Sequence, residues 1–416
     1  MRAFYGTWCQ CIDRQHNCTD NTEGKVRAMN RDLFWRMLSL WRVKRANVRI
    51  AAAVRNGQTV LEFGPSSLNL MMADACNSQC IMCGHDYRGC GSGQWITLEN
   101  VKTIYGHLDM KQVVDVIYGG GGEPFLNPEL GAIAAYTRKL DPVIQHTVIT
   151  NGIAAKPELA EILIRNRVHI LVSINAATPE TFRTVSGVDS FLCVIENVRD
   201  MVAKKNALRP DVNISISMIL IRRNIRDLVP FVRLAHDLGV DGVKTLYARI
   251  YPQNLRIKHD GLARIGLDDS LFFAQKECDK TVQEAEKEAR RLGVDFDHEP
   301  LFCCSTSRQR DCCEPWKSLF INYNGDIYPC PASEILFKNK IDNGQYNSGN
   351  AFSQHISGFW NNEFWQALRK TNLVYGRQEI VPECLCCGNA INWLGPGARG
   401  SHILDWTEAE KSALRV

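Results

Sequence analysis

The chain has 416 residues, more than one compact core ordinarily holds, and its 45% apolar and 23% charged residues exclude a disordered polymer, so a main domain with additions is expected. A net charge of +4 is too small to imply nucleic acid, and no nucleic-acid partner is expected. No apolar run approaches the roughly 18 residues of a membrane span and no signal-peptide core opens the chain, so no membrane span and a cytoplasmic location are expected.

The N-terminal part is basic, with nine Lys or Arg against one acid, Asp32, between Lys25 and Arg55. Within it Asp32–Val54 reads as an amphipathic helix, Leu33, Phe34, Met37, Leu38 and Trp41 recurring near one face, and its charge suits an anionic partner. From about residue 68 to 250, short β-branched apolar runs alternate with amphipathic segments, the pattern of βα units around a parallel sheet. The predicted strands are Leu68–Ala73, Val113–Tyr118, His146–Thr150, His169–Asn175, Val212–Ile221 and Gly242–Ala248, and their nearly continuous apolar character suits strands covered on both faces. Asn127 before Pro128, Thr178 before Pro179, and Ser190 mark helix starts, while Gly239 marks the end of a helix over Asn224–Leu238. Six such units predict a partial barrel with its chemistry at the C-terminal ends of the strands. Leu267–Leu292 predicts a long charged helix leading out of it, into sequence rich in Cys, Gly, Asn and Trp.

Seventeen cysteines in an intracellular chain point to metal ligation rather than a disulfide scaffold, because they are clustered: 9, 11 and 18; 76, 80, 83 and 90; and a dense set from 303 to 387. Cys76, Cys80 and Cys83 form C-x3-C-x2-C on the loop after the first strand. Three thiolates can hold three irons of a cubane and leave the fourth open to a small molecule, whereas closed structural zinc wants a fourth ligand. The second strand ends in Tyr118 followed by Gly119, Gly120, Gly121, Gly122 and Glu123. Glycines let a backbone approach closely, and a carboxylate there can receive an ammonium group.

Together these residues resemble the radical S-adenosylmethionine (SAM) superfamily over roughly residues 66–250. The resemblance implies an α/β fold with a partial (β/α)6 TIM-like barrel and a [4Fe-4S] cluster on Cys76, Cys80 and Cys83, whose open iron is chelated by the amino and carboxylate groups of SAM. It implies that Gly121, Gly122 and Glu123 hold the methionine end, and that an electron from the cluster splits SAM into methionine and a 5′-deoxyadenosyl radical that abstracts a substrate hydrogen. Asn151, Ser173 and Asn175 match positions where the family places SAM-contacting groups, Asn175 standing where Asp is frequent. Arg222-Arg223-Asn224 also fits the pattern, with Asn224 alternatively a cap for the next helix. A flavodoxin- or ferredoxin-type electron donor is implied as a partner. His85, just after the cysteine loop, reads as either a solvated or a proton-transfer group.

Farther on, Cys312-Cys313-Glu314-Pro315-Trp316 leads into Leu319–Cys330, which predicts a hairpin turning at Asn324-Gly325, and Phe359 through Arg369 predicts a helix. Cys384 and Cys387 form a C-x2-C pair. On the residues alone a zinc ribbon stays open. The block resembles the SPASM/twitch extension of radical SAM enzymes, which implies one auxiliary [4Fe-4S] cluster on Cys312, Cys330, Cys384 and Cys387, with Cys313 and Cys386 as competing choices. The longer cysteine series of a two-cluster module is absent, favouring the shorter twitch form. Cys9, Cys11, Cys18, Cys90, Cys193, Cys278, Cys303 and Cys304 read as packing residues or spare thiols.

The organisation expected is a basic, partly helical extension over 1–65, the barrel over 66–265, a linking helix over 266–300, the auxiliary-cluster domain over 301–395 and a tail over 396–416. The main functional expectation is oxidation or other modification of a small molecule of secondary metabolism, the auxiliary cluster taking up the second electron. The alternatives are a maturase of a ribosomally made peptide, whose acidic leader the basic extension would hold, and a non-enzymatic iron–sulfur or zinc adaptor. A chain end without Gly-Gly speaks against the molybdenum-cofactor cyclase branch.

Overall fold

A computed structural model describes residues 22–83, 93–248, 265–304, 312–330, 333–373, 378 and 380–385. One long helix, α1 (Thr22–Arg55), precedes an alternation of β1 (Ser67–Leu70), α2 (Leu98–Gly106), β2 (Asp115–Tyr118), α3 (Leu130–Leu140), β3 (Gln145–Thr150), α4 (Pro157–Arg165), β4 (Val168–Ser173), α5 (Pro179–Ser186), α6 (Phe191–Leu208), β5 (Ile214–Leu220), α7 (Leu228–Leu238) and β6 (Gly242–Tyr247). Then come α8 (Gln275–Leu292), β7 (Asp295–Asp297), a one-turn α9 (Glu314–Lys317), β8 (Ser318–Ile321), β9 (Ile327–Tyr328), α10 (Ser333–Asp342), α11 (Glu363–Thr371) and α12 (Pro382–Leu385).

Among the described residues the nine strands form one sheet in the order β7-β6-β5-β4-β3-β2-β1-β8-β9, parallel except for the β8–β9 hairpin. The six predicted strands are β1 to β6, so the expected α/β fold with a parallel sheet is the fold found. Its outer face is apolar for the reason legible in sequence: Leu68, Val116, Val148, Ile170 and Ile216 meet Ile133, Leu163, Val198 and Phe231 of the helices in one buried core. Fully burying one such side chain is worth about 1.5–3 kcal/mol.

Local signals were obeyed where a side chain had nothing better to do. Thr178 Oγ1 accepts the Thr181 amide at 3.2 Å, Pro179 fills the first position of α5, and Gly239 ends α7 at φ +69°. Ser190 stands ahead of α6, but its side chain makes no cap hydrogen bond. Asn127 serves both ways: its side-chain amide donates to the Met72 and Ile96 carbonyls at 3.0 and 2.8 Å, while its Oδ1 accepts the Glu129 amide at 2.8 Å just ahead of α3, which begins at Leu130. The charged helix expected over Leu267–Leu292 is broken into two short 3-10 turns before α8, because Asp269 accepts from the Gly266 amide and grips Arg223. The hairpin turn is wider than its Asn-Gly pair alone demands: Asn322 through Asp326 close it, Gly325 sitting at φ +89° with its amide on the Asn322 carbonyl.

α1 crosses the N-terminal ends of the strands. Arg42 donates to Asp141 at 2.6 Å and to the Lys111 and Val113 carbonyls at 2.9 and 2.7 Å, and Ala46, Ile50, Ala53 and Val54 continue this buried face along the helix. Of the apolar face foreseen there, Leu33, Phe34, Met37 and Trp41 are exposed. No helix among the described residues is long and apolar enough to cross a membrane.

Candidate cofactor site

Three strand ends meet at the loop carrying Cys76, Cys80 and Cys83, all half-buried. Gly122 donates its amide to the Ala73 carbonyl at 3.0 Å and Glu123 to that of Ala75 at 2.7 Å, so the glycine run after β2 is stitched to the chain entering the cysteine loop. A Cβ on Gly122 would lie 2.3 Å from the Ala75 oxygen, and one on Gly121 would lie 2.9 Å from the Met71 Cβ. The far side of the loop rests on the end of α5: the Gln79 and Ile81 amides donate to the Ser186 and Val185 carbonyls at 2.8 and 2.9 Å. Gly187, at φ +69°, leaves no room for a side chain beside Gln79.

Glu123 is buried, and its carboxylate already holds three donors. Oε1 accepts from the Phe125 amide at 2.9 Å and Thr150 Oγ1 at 2.5 Å, and Oε2 from the Asn151 amide at 2.7 Å. Burial raises its pKa; the Asn151 amide, Thr150 and the Phe125 amide oppose the rise. Asn151 reaches across to the cysteine loop, its side-chain amide donating to Asn77 Oδ1 at 2.8 Å and standing 3.6 Å from Cys76 Sγ. Ser78 Oγ lies 3.2 Å from Cys80 Sγ. Thr150 ends the third strand as Thr150-Asn151-Gly152, a position the resemblance associates with SAM contact, whereas Asn77 and Ser78, inside the cysteine loop, carried no signal in the sequence.

Ser173 and Asn175 behave differently. Ser173 Oγ faces Ser217 Oγ at 3.1 Å on the neighbouring strand. Asn175 is buried at φ +63°, its Oδ1 accepting the Ile219 amide at 2.7 Å and its own carbonyl accepting the Asn224 side chain at 2.9 Å. Asn224 therefore ties β4 to β5 and does not cap α7, its Oδ1 taking the Ile221 amide at 2.9 Å. Arg223 makes a two-pronged pair with Asp269 at 2.7 and 2.9 Å, a partner invisible to motif reading.

The donor set suits a cationic group. Burial pushes the Cys76 thiol up to about 12; Glu123, Cys80 and Cys83 add to the rise against a Ser78 amide that lowers it. Such a thiol ionises readily only beside a positive centre, which a metal supplies. Among the described residues no three His, Cys, Asp or Glu side chains stand close enough to share a single ion, yet these three thiols influence one another's ionisation.

Cysteines of the C-terminal block lie toward the other end of the β1–β8 pair. Cys312 and Cys313 immediately precede α9, and Cys330 follows β9, whose antiparallel register (Phe320 to Tyr328) returns the chain toward Ser318. Cys384 lies in α12, whose entry is fixed by the Val381 amide on Thr371 Oγ1 at 3.1 Å; α11, in turn, sends Arg369 to the Pro315 carbonyl at 3.0 Å. Cys312, Cys330 and Cys384 are half-buried, and burial raises the Cys313 thiol. Cys386 and Cys387, with His85, Cys90 and Cys9, Cys11 and Cys18, lie outside the described residues.

Comparison with known proteins covers the regions that carry these cysteines. Residues 70–247 match the radical SAM superfamily and residues 312–388 an iron–sulfur cluster-binding domain, SPASM. The chain is 23% identical to a PqqA peptide cyclase of Streptomyces rochei over 78% of this chain and 81% of that one. It is 25% identical to a probable GTP 3′,8-cyclase of Saccharolobus solfataricus over 48% of its length, spanning 62% of that relative. Its fold resembles that of Streptococcus suis SuiB bound to the precursor peptide SuiA, with TM-score 0.58, 16% identity, and 87% of this chain and 76% of that one covered. SuiB bound to S-adenosylmethionine superposes with TM-score 0.59 and 17% identity, over 78% of this chain and 72% of that one. With its cysteine loop at the head of a parallel sheet and its cysteine-rich hairpin joined to the same sheet, this chain belongs to the radical SAM superfamily, as a SAM-dependent iron–sulfur enzyme with a C-terminal SPASM domain.

Proposed function

We propose that this enzyme modifies a peptide, with Cys76, Cys80 and Cys83 holding the SAM-binding cluster and Cys312, Cys330, Cys384 and Cys387 an auxiliary one. The observation that carries the substrate class is the likeness to a peptide cyclase through barrel and SPASM domain together, over 78% of the chain. It favours the peptide reading over the small-molecule oxidation first expected from the sequence, whose only motive was a short cysteine series. When bound, the cluster and SAM supply one-electron cleavage of SAM and removal of a hydrogen atom from the substrate.

The chain's own residues position that chemistry. Gly121 and Gly122 set the distance between the β2 end and the cysteine loop. Glu123 acts as a positioning residue: its three internal hydrogen bonds lock the β2 and β3 ends together and aim Asn151 at Cys76 and Asn77. Ser173, at the end of β4, with Ser217 beside it on β5, presents hydroxyls where SAM would meet the sheet. Asn175 fixes the loop after β4 through its bond to Ile219.

The test is anaerobic reconstitution followed by co-expression with the short peptides encoded beside the gene. Cluster absorbance, 5′-deoxyadenosine formation and a mass change confined to one peptide are the expected results, and Cys80→Ala should remove the last two and lower the cluster absorbance to that of the auxiliary cluster. Deuterium passing from a labelled peptide into 5′-deoxyadenosine would identify the hydrogen source. SAM cleavage with every peptide unchanged, and turnover of a small metabolite instead, would sink the peptide reading.

A further inference from the structure

At the N-terminal ends of the strands, opposite the cysteine loop, α1 and the segment before β2 enclose a cleft of about 470 Å³. Trp41, Arg42, Arg45, Arg49 and Lys111 line it, and no carboxylate does. Arg42 is committed to Asp141, but among the described residues Arg45 and Lys111 pair with no carboxylate. Arg49 stacks on Phe63 at 4.4 Å, and its Nε is buried without a hydrogen-bond partner among the described residues. Burial and then the neighbouring Arg45 push Arg49 down, Asp109 opposing from outside the lining, and two guanidinium groups share a cleft in which an anion would relieve their repulsion. From this cleft an apolar stripe runs along α1: Phe34, Met37, Trp41 and Val48 are exposed and recur with Arg45 at three- and four-residue spacings. A face that is both cationic and apolar matches an amphipathic partner whose charges are acidic, since carboxylates satisfy the arginines while apolar side chains cover the stripe.

We propose that this face of α1 docks an acidic, amphipathic segment of the substrate peptide, remote from the residue that is modified; the inference rests on the peptide reading above. The argument for this occupant is charge complementarity, since the surrounding segment Lys25–Arg55 carries nine cations and one acid. The distance is also consistent with one continuous peptide. A strand such as β3, six residues long, spans about 20 Å at ~3.3 Å per residue. An extended chain covers about 20 Å with roughly six residues, so the docking segment and the modified residue are expected to lie at least about that far apart in sequence.

The experiment uses the reconstituted full chain and the fluorescence anisotropy of a labelled Leu/Glu peptide with helical amphipathic spacing, compared with its Leu/Lys counterpart. The acidic probe should bind, lose affinity as salt is raised, and bind the exposed-residue variant Arg45→Glu/Lys111→Glu at least about tenfold more weakly, while the Leu/Lys peptide should not bind. Uncoupled SAM cleavage by that variant should equal that of the unsubstituted chain. Equal binding of the two peptides, or an unchanged affinity in the variant, overturns the proposal. So does a dimer in solution that Trp41→Glu dissolves, because the stripe would then belong to a second copy. Peptide modification without probe binding removes this docking face and leaves the substrate reading standing; probe binding without modification of any peptide keeps the face and removes that reading.

Discussion

Gly122 and Gly120 sit two residues apart in the same run, yet the fold asks different things of them. Gly120 needs only its backbone freedom, at φ +89° with nothing near a would-be Cβ. Gly122 needs the missing side chain itself, since the Ala73 and Ala75 carbonyl oxygens stand 2.6 and 2.3 Å from where a Cβ would be. Gly120→Ala should cost about 1 kcal/mol of stability and keep the cluster. Gly122→Ala should push the cysteine loop away and lower the iron content by one cubane, with circular dichroism unchanged; retained iron would show that the contact can relax. The sequence located this glycine run, and the structure adds a close approach that no local pattern announces, that of Gly122 to the protein's own backbone. Glu123 follows the same pattern. Its partners Thr150 and Asn151 lie far along the chain, on the next strand end, and nothing local announces them. Glu123→Gln would turn an amide N–H toward donors that now meet a carboxylate oxygen, a mismatch costing about 1–3 kcal/mol, measurable as a lower unfolding midpoint and weaker SAM binding.

At the scale of elements, the β4–β5 junction carries a titratable hydrogen bond. His169 Nδ1 accepts the Asn213 amide at 2.9 Å, which only the unprotonated nitrogen can do. Burial, then Arg138, lowers its pKa from 6.5 to about 4, Asp211 opposing and Arg36 and Lys205 adding to the fall. His146, on β3, is lowered in the same direction by burial, Arg138 and His169. A histidine whose folded pKa is depressed takes up its proton more readily when unfolded. Its stabilising contribution is therefore complete above pH 6.5 and lost progressively as the pH falls toward about 4. The unfolding midpoint of the chain should drop across that window, and His169→Gln, which keeps an acceptor, should flatten the part of the drop due to this residue. The strands themselves were readable because continuous β-branched runs have few other uses. The side chains between them were less so, because Asn127, Asn175 and Asn224 look like caps or ligands in sequence, and nothing local announces their hydrogen bonds to Met72, Ile219 and the Asn175 carbonyl.

Across the whole molecule, the cysteine-rich block is continuous with the barrel sheet. β8 lies parallel to β1 from Ser67 opposite Ser318 to Leu70 opposite Ile321, and Trp316, Leu319 and Ile321 enter the main core. Arg369 fastens the same seam: it is fully buried, donates to the Thr59 and Pro315 carbonyls at 2.8 and 3.0 Å, and stacks 4.6 Å from the Trp360 ring. A chain cut after residue 304 would leave β1 with an open edge and these apolar contacts bare, so it should be recovered as aggregate while the full chain remains monodisperse on size exclusion. Recovery of a folded fragment would mean that the seam contributes little.

By itself, the sequence determined the period-and-spacing features: six βα units, the C-x3-C-x2-C loop after the first strand, the glycine run after the second, and a cysteine-bearing hairpin near the end. Those are local, because thiol spacing, glycine freedom and apolar runs are properties of neighbours in the chain. Tertiary structure alone decided that Glu123 turns inward to β3, that β8 extends the barrel beside β1, and that α1 turns part of its apolar face outward at the end opposite the cysteine loop. Each of these is a choice among partners brought together only by folding: which donors satisfy a buried carboxylate, which strand covers an open edge, and which side of a helix the core has room to bury.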